Sequence, residues 1–253
     1  PAMKDKYVKN LGKLDKILAL SSGVIEGISN IYSYPEDKIV NIGAGYNEKI
    51  FYPAEKYEKQ NNVKILYAGK FDESKGFYEL IKAFRLLEEK DNNVELELIG
   101  NLKEEDRPRV EALVGDSKKI KIYNAVDQAH LGEIMRHKDI FILPSYFEGL
   151  GLIAVEALGS GLRVVATEIE GLIEFLGDTI NNSEIIEYIE MPTIYDTDKA
   201  VEEEKPAFVN RIVGALELMI ERTREQREIP AELLEEIEHH SWKRKIEIIY
   251  KLL

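Results

Sequence analysis

The chain has no cysteine among its 253 residues. That absence removes disulfides, thiolate nucleophiles and cysteine-ligated metals together, and it fits a reducing compartment. Long hydrophobic runs are missing too: no stretch approaches the roughly 20 apolar residues that a membrane-spanning helix needs. Positive charge is in deficit, with 34 Lys and Arg against 47 Asp and Glu and a formal net charge of −13. Non-specific nucleic-acid binding draws on clustered basic side chains, so a nucleic-acid partner is not expected. Histidine is scarce. Its four copies are His130 and His137, seven apart on or near one helix, and the adjacent His239-His240; all read as solvated helix-face residues. No internal repeat or low-complexity tract is apparent.

What is present, 44% hydrophobic and 32% charged residues, suits a soluble globular chain able to bury a large core. Apolar β-type runs alternate with helical patterns, the signature of βαβ units and a parallel sheet. Strands are expected at 17–20, 63–67, 94–99, 120–123, 140–143 and 163–166, and helices at 76–89, 104–114, 128–136 and 151–158. Ligand residues should then lie just after strands, at the carboxyl edge of the sheet, where Lys70, Lys75, Ala125, Ser145 and Glu148 fall. The segment from Gly177 to Lys205, with Asn181-Asn182-Ser183 and the acids Glu202 to Glu204, reads as a loop or insertion. A long helix near Phe208 to Arg224 and an amphipathic helix from Trp242 to Leu252 follow.

Three constellations carry chemistry. In Gly69-Lys70-Phe71-Asp72-Glu73-Ser74-Lys75-Gly76, two lysines five apart flank a strand-to-helix turn and can reach one anion, although two solvated surface lysines would look the same. In the second, Glu148 and Glu156 lie eight apart in an otherwise apolar run. A helix starting near Gly151 puts Glu156 roughly 7 Å along its axis. Neither acid favours phosphate, but each can accept hydrogen bonds from vicinal sugar hydroxyls; a surface Glu148 and a buried Glu156 satisfied by backbone or Lys is the structural alternative. Asp196-Thr197-Asp198 could hold a divalent metal, but it lies outside the βαβ core and short acidic motifs often mark turns.

Taken in order, these residues resemble glycosyltransferase family 4, the glycosyl transferases group 1: retaining enzymes of the GT-B fold, of which this chain is similar to the C-terminal half. The likeness rests on Gly45-Tyr46-Asn47 with Phe51 and Pro53, Gly69 to Gly76, Pro144-Ser145, the Glu148 and Glu156 pair, Gly161 to Thr167, Gly171 with Glu174, and Ser241-Trp242. It implies an α/β fold, a Rossmann-like parallel sheet flanked by helices that binds a nucleotide-sugar. Lys70 and Lys75 match the basic pair on the donor diphosphate, Glu148 the acid on the donor sugar and Glu156 the acid on the ribose hydroxyls. Gly149, Leu150 and Gly151 match the loop whose amides face phosphate and sugar, Ser145 is counted with them, and the base would rest near Ala125 and Val126.

The resemblance further implies a retaining, hexosyl-type transfer from a nucleotide-diphosphate-sugar, with no other cofactor and no metal, to an unknown sugar, glycan or lipid acceptor. Residues 1–54 would be the last strand and helix of a missing N-terminal Rossmann-like domain plus linker. Residues 55–253 would be the donor-binding domain, with 240–253 a helix packing back on the N-terminal domain. That helix could alternatively be a basic membrane-surface helix. Exposed apolar surface in the chain by itself would favour self-association, and the chain alone would lack the acceptor site and the family's catalytic His. The expected location is the cytoplasm, or the inner membrane face as a peripheral protein. Two positions depart from the family pattern: Lys70 stands where Arg is usual, losing the planar fork, and Asn47 where Asp is usual. A non-catalytic nucleotide-binding or partner-binding module with the same fold is the alternative.

Overall fold

The computed structural model describes residues 8, 10–20, 22–55 and 61–252. At its start β1 (Ile17–Ala19), α1 (Ser22–Tyr32) and β2 (Ile39–Asn41) form a small βαβ unit, with Ile17 opposite Ile39 in a parallel pair. Ala19, Tyr34 and Ile39 make a core of its own. Three residues are too few to show a period of two, so β2 leaves no mark in the sequence pattern. The expected boundary between residues 54 and 55 adjoins residues 56–60, which lie outside the described residues, as do the extreme ends of the two expected domains.

The main sheet contains β3 (Val63–Ala68), β4 (Val94–Ile99), β5 (Ile120–Tyr123), β6 (Ile140–Leu143), β7 (Arg163–Thr167) and β8 (Ile186–Ile189). Its spatial order is β5-β4-β3-β6-β7-β8, parallel throughout. After β3 to β7 come, in turn, α2 (Phe77–Lys90), α3 (Arg107–Val114), α4 (Gln128–Met135), α5 (Leu152–Gly159) and α6 (Glu170–Asn181). The hairpin of β9 (Ile194–Tyr195) and β10 (Lys199–Ala200) precedes α7 (Lys205–Glu225), α8 (Ala231–Glu238) and α9 (Trp242–Leu252). Every helix expected from the sequence is present with bounds shifted by at most three residues, and every expected strand by at most one.

The central strands are apolar on both faces because both faces are covered. Val63, Ile65 and Tyr67 of β3 and Ile140 and Ile142 of β6 pack against α2 and α7. Their neighbours Leu66, Ala68, Phe141 and Leu143 pack against α5 and α6 on the other side. At about 1.5–3 kcal/mol per large buried side chain, a one-residue slip would misplace both sets at once, so the two cores fix the register.

The stretch from Gly177 to Lys205 is not the loop or insertion that its polar composition suggests. It holds the end of α6, the edge strand β8 and the β9–β10 hairpin. In β8 the half-buried Glu187 and Tyr188 sit between buried Ile186 and Ile189, and an edge strand of that length lacks the continuous apolar run of a central one. Asp196-Thr197-Asp198 is the hairpin tip. Asp196 and Thr197 have φ of 47° and 74°, and Asp196 pairs with Lys199 at 2.6 Å. No group of three or more metal-ligating side chains occurs among the described residues, and no helix among them is long and apolar enough to cross a membrane.

From β3 the chain builds outward to β4 and β5, then returns to place β6 on the other flank of β3. That reversal makes the carboxyl edge between β3 and β6 a topological switch point, the crevice where open α/β sheets bind ligands. The two turns there are in backbone contact: the Tyr146 N–H donates to the Ser74 carbonyl at 2.8 Å. Gly76, at φ 61°, lies so near β6 that a Cβ on it would fall 2.0 Å from the Pro144 carbonyl oxygen. Gly76→Ala should therefore lose about 2–4 kcal/mol, from the left-handed backbone and the forced separation together. Urea denaturation measures this, and a loss below about 0.5 kcal/mol would show that the two turns are not so tightly apposed.

Candidate functional site

The turn after β3 contains one turn of 3-10 helix, Glu73–Lys75, and the Ser74 hydroxyl donates to Asp72 at 2.7 Å. Facing it, Pro144-Ser145 ends β6, and the buried Thr167 hydroxyl holds that end by donating to the Ser145 carbonyl at 2.6 Å. Lys75 and Glu148 meet between the two turns. Lys75 Nζ donates to Glu148 Oε1 at 2.8 Å and to the Phe147 carbonyl at 3.0 Å, while the Ser145 hydroxyl donates to the same Glu148 oxygen at 3.1 Å. The two charged side chains are 22% and 23% exposed. A pair so open to water adds at most about 1 kcal/mol to stability. It is better placed to meet a ligand than to hold the fold.

Beyond Glu148 the chain runs through Gly149 and Leu150 to Gly151, which caps α5 at φ 68° and ψ 40°. The first turn of α6 presses against this loop: a Cβ on Gly171 would lie 2.3 Å from the Gly149 carbonyl oxygen. The first N–H groups of α5 have no acceptor within the helix, which favours an anion there.

Glu156 stands one turn further in, with Ala154, Val155, Ala157 and Leu158 buried around it. It is 9% exposed, and burial alone pushes its carboxyl up to about 7. Among the described residues its carboxylate has no hydrogen bond or ion pair. These residues therefore supply it no backbone or Lys partner of the kind that a purely structural acid would need.

A cleft of about 510 Å³ lies beside this helix at the ends of β3, β4 and β5, and Lys70, Asn101, Ala125, Val126 and Ile153 are among its walls. Ile153 precedes Glu156 by three residues and shares its helix face. The expected site residues thus form two adjoining groups. Lys75, Ser145 and Glu148 converge at the switch point, whereas exposed Lys70 lines the cleft with Ala125 and Val126. Asn101 was not singled out from the sequence. Its side-chain oxygen accepts from the Ala125 N–H at 3.3 Å, and its place directly after β4 was the available signal. Thr167 is the other omission, since a buried threonine ending an apolar strand looks like part of the core. Asn47 accepts from the Lys49 N–H at 3.1 Å, a local turn contact that an Asp oxygen would make equally well.

A family model described as Glycosyl transferases group 1 matches residues 36–188, a span that contains all these residues. The chain belongs to this family. It is 26% identical over 180 residues to an uncharacterized glycosyltransferase of Methanocaldococcus jannaschii, across 66% of this chain and 45% of that protein. With the capsular polysaccharide biosynthesis glycosyltransferase CapM of Staphylococcus aureus it shares 28% over 191 residues, across 66% and 46%. The matched region therefore makes up about half the length of these relatives. Among solved structures, sucrose-phosphate synthase from Thermosynechococcus elongatus matches with a TM-score of 0.69 at 19% identity, over 99% of this chain and 60% of that one. Anabaena HepE, solved in complex with UDP and glucose, matches with a TM-score of 0.66 at 15% identity, over 94% and 62%. At such identities the likeness concerns the fold, which is the Rossmann-like one of GT-B glycosyltransferases.

Glu156 links this group 1 site to stability. Its folded pKa of about 7 lies above the ordinary 4.5, so the folded state keeps a proton that the unfolded state releases. Stability is then highest below the unfolded value and falls as pH rises through the folded one. Glu156→Gln should stabilise the chain by on the order of 3 kcal/mol at pH 8 and by little at pH 4. Denaturation at the two pH values checks this; an equal effect at both would mean that Glu156 is not held protonated by burial.

Proposed function

We propose that this chain is the donor-binding portion of a retaining glycosyltransferase that moves a sugar from a nucleotide-diphosphate-sugar to an acceptor. The observation that carries the reading is the convergence of Lys75, Ser145 and Glu148 at the switch point of a group 1 glycosyltransferase sheet. The structures of HepE with UDP and glucose and of a pneumococcal O-GlcNAc transferase with UDP and GlcNAc support a nucleotide-sugar as the ligand class. A C-terminal domain of a glycosyl transferase group 1 protein from Francisella tularensis, 98% of which this chain matches at a TM-score of 0.54, supports placing the donor-binding domain at 55–253.

In this reading the base rests near Ala125 and Val126, and Glu156 accepts hydrogen bonds from the two ribose hydroxyls. Hydroxyls are neutral donors, so they satisfy the buried carboxylate without adding a second buried charge. The diphosphate lies over Gly149 to Gly151 and the α5 N-terminus, with Lys70 and Lys75 as its cations, and Glu148 faces the transferred sugar. Lys75 has a double task. It screens Glu148 from the diphosphate, and it meets the charge that grows on the leaving phosphate as the sugar departs. Such preorganised charge stabilises the transition state more than the ground state.

Calorimetry with UDP, GDP and ADP tests this. At least one should bind at micromolar to millimolar strength, and Lys75→Ala should weaken it roughly 10- to 100-fold, as expected for a charged hydrogen bond. Glu156→Gln should weaken the same ligand by about tenfold despite stabilising the fold. No binding of any of the three nucleotides, or an unaffected Glu156→Gln, would overturn the assignment.

A further inference from the structure

Lys205, the first residue of α7, is only 5% exposed. Its ammonium pairs with Glu73, 132 residues away in the turn after β3, and with Glu202 in the short 3-10 turn that leads into α7. Burial would lower the pKa of this lysine, but its hydrogen bonds to Glu202 and Glu73 outweigh that and raise it above the ordinary value. Ala200 of β10 is buried in the core, and β10 packs against the Glu73–Lys75 turn. Glu79, in the first turn of α2, is fully buried, with Lys82 Nζ at 3.6 Å. Lys205 lies outside the span matched by the family model.

Glu73 and Lys75 are the two ends of one turn of 3-10 helix. On one side that turn is fastened to β6, through the Tyr146 N–H on the Ser74 carbonyl. On the other, among the described residues, Glu73 supplies its side-chain tie to α7, and β10 packs beside it. Releasing Glu73 would loosen that flank, and Lys75 would lose its fixed approach to Glu148. Removing Glu73 instead would leave the Lys205 ammonium on Glu202 alone, so the cost of breaking the pair is greater from the buried Lys205 end.

We propose that Lys205 is a positioning residue for the donor site: by pinning Glu73 it sets the Glu73–Lys75 turn so that Lys75 faces Glu148 and the donor diphosphate. The segment from β9 to the start of α7 is then a brace behind the phosphate-binding turn. The proposal rests on the role given to Lys75 above.

The test is a double-mutant cycle on the purified chain, using whichever of UDP, GDP and ADP binds best, together with the matching nucleoside. Lys205→Met and Glu73→Gln should each weaken the nucleoside diphosphate roughly five- to tenfold, the size expected for coupled residues in one network. Affinity for the nucleoside should not change, Lys205→Arg should restore most of the loss, and Lys205→Met should add nothing in a Lys75→Ala background. A loss that persists undiminished in that background, or that falls equally on the nucleoside, would overturn the proposal and leave Lys205 a purely structural residue. Should Lys205→Met fail to fold, Glu73→Gln carries the test, because the Glu73 side chain is 44% exposed and tolerates replacement. Amide hydrogen exchange separates the two ideas if no nucleotide binds. The donor-site reading then fails, while the brace still requires Glu73→Gln to speed exchange at residues 73–76 roughly tenfold or more with β4 unchanged. Unchanged exchange there would refute the brace.

Discussion

Because β6 returns to pair with β3, two turns some 70 residues apart in the chain must share one edge of the sheet. The contact between Gly76 and the Pro144 carbonyl is where that constraint is tightest. Everything chemical in the chain is arranged around it. The turn on the β3 side brings Lys75, the turn on the β6 side brings Ser145 and Glu148, and the buried Thr167 of β7 supports the second turn from below. A parallel sheet covered on both faces leaves its edges as the places where polar groups can gather without entering a core.

Charge at this edge is handled in two opposite ways. Lys205 is buried but paired, so its desolvation is offset by Glu73 and Glu202 and the pair fastens the turn. Glu156 is buried and, among the described residues, unpaired; the chain carries its cost as a pKa pushed up to about 7. A fold selected for stability alone would not keep an acid at that point of an apolar helix. Strain of this sort is tolerated where binding relieves it, and a neutral pair of hydroxyls is a suitable reliever because it satisfies the carboxylate without adding a charge.

The sequence showed the architecture well where its signals were redundant. β3, β6 and β7 carry runs of consecutive apolar residues and β4 alternates apolar residues with Glu95 and Glu97; all four are followed by glycine-containing turns and helical periods, so each element is marked several times over. The positions of Lys70 and Lys75 after β3, Ala125 after β5, and Ser145 and Glu148 after β6 followed from the same strand pattern. β2 was not legible, being only three residues long, and β8 was not because Glu187 breaks its apolar run within a polar stretch. Thr167 escaped because its function is a hydrogen bond to a distant carbonyl, which leaves no local pattern. The link between Lys205 and Glu73 spans 132 residues, and no spacing rule reaches that far. What the pattern cannot carry is partnership between turns, since the switch-point geometry that creates it exists only once the sheet has formed.

The same reasoning bears on the two ends of the family signature. Tyr46 in the linker bridges to Ser241, the Trp242 N–H donates to the Tyr46 carbonyl at 2.9 Å, and Gly45 lies where a Cβ would fall 2.7 Å from the Trp242 ring. These residues are far from Glu148 and Glu156 in sequence and make none of the contacts of the candidate site. Their contacts tie the segment between β2 and β3 to the start of α9. The β1–β2 unit also touches α6, where the Ser22 hydroxyl donates to Glu174 at 2.7 Å. Between the two lies a gap lined by Leu20, Gly43, Leu150, Gly171 and Lys245, next to the Gly149 to Gly151 loop. The close glycine contacts at 76 and 171 hold backbone against backbone, and that at 45 holds backbone against the Trp242 ring, so that separate parts of the chain are kept in register.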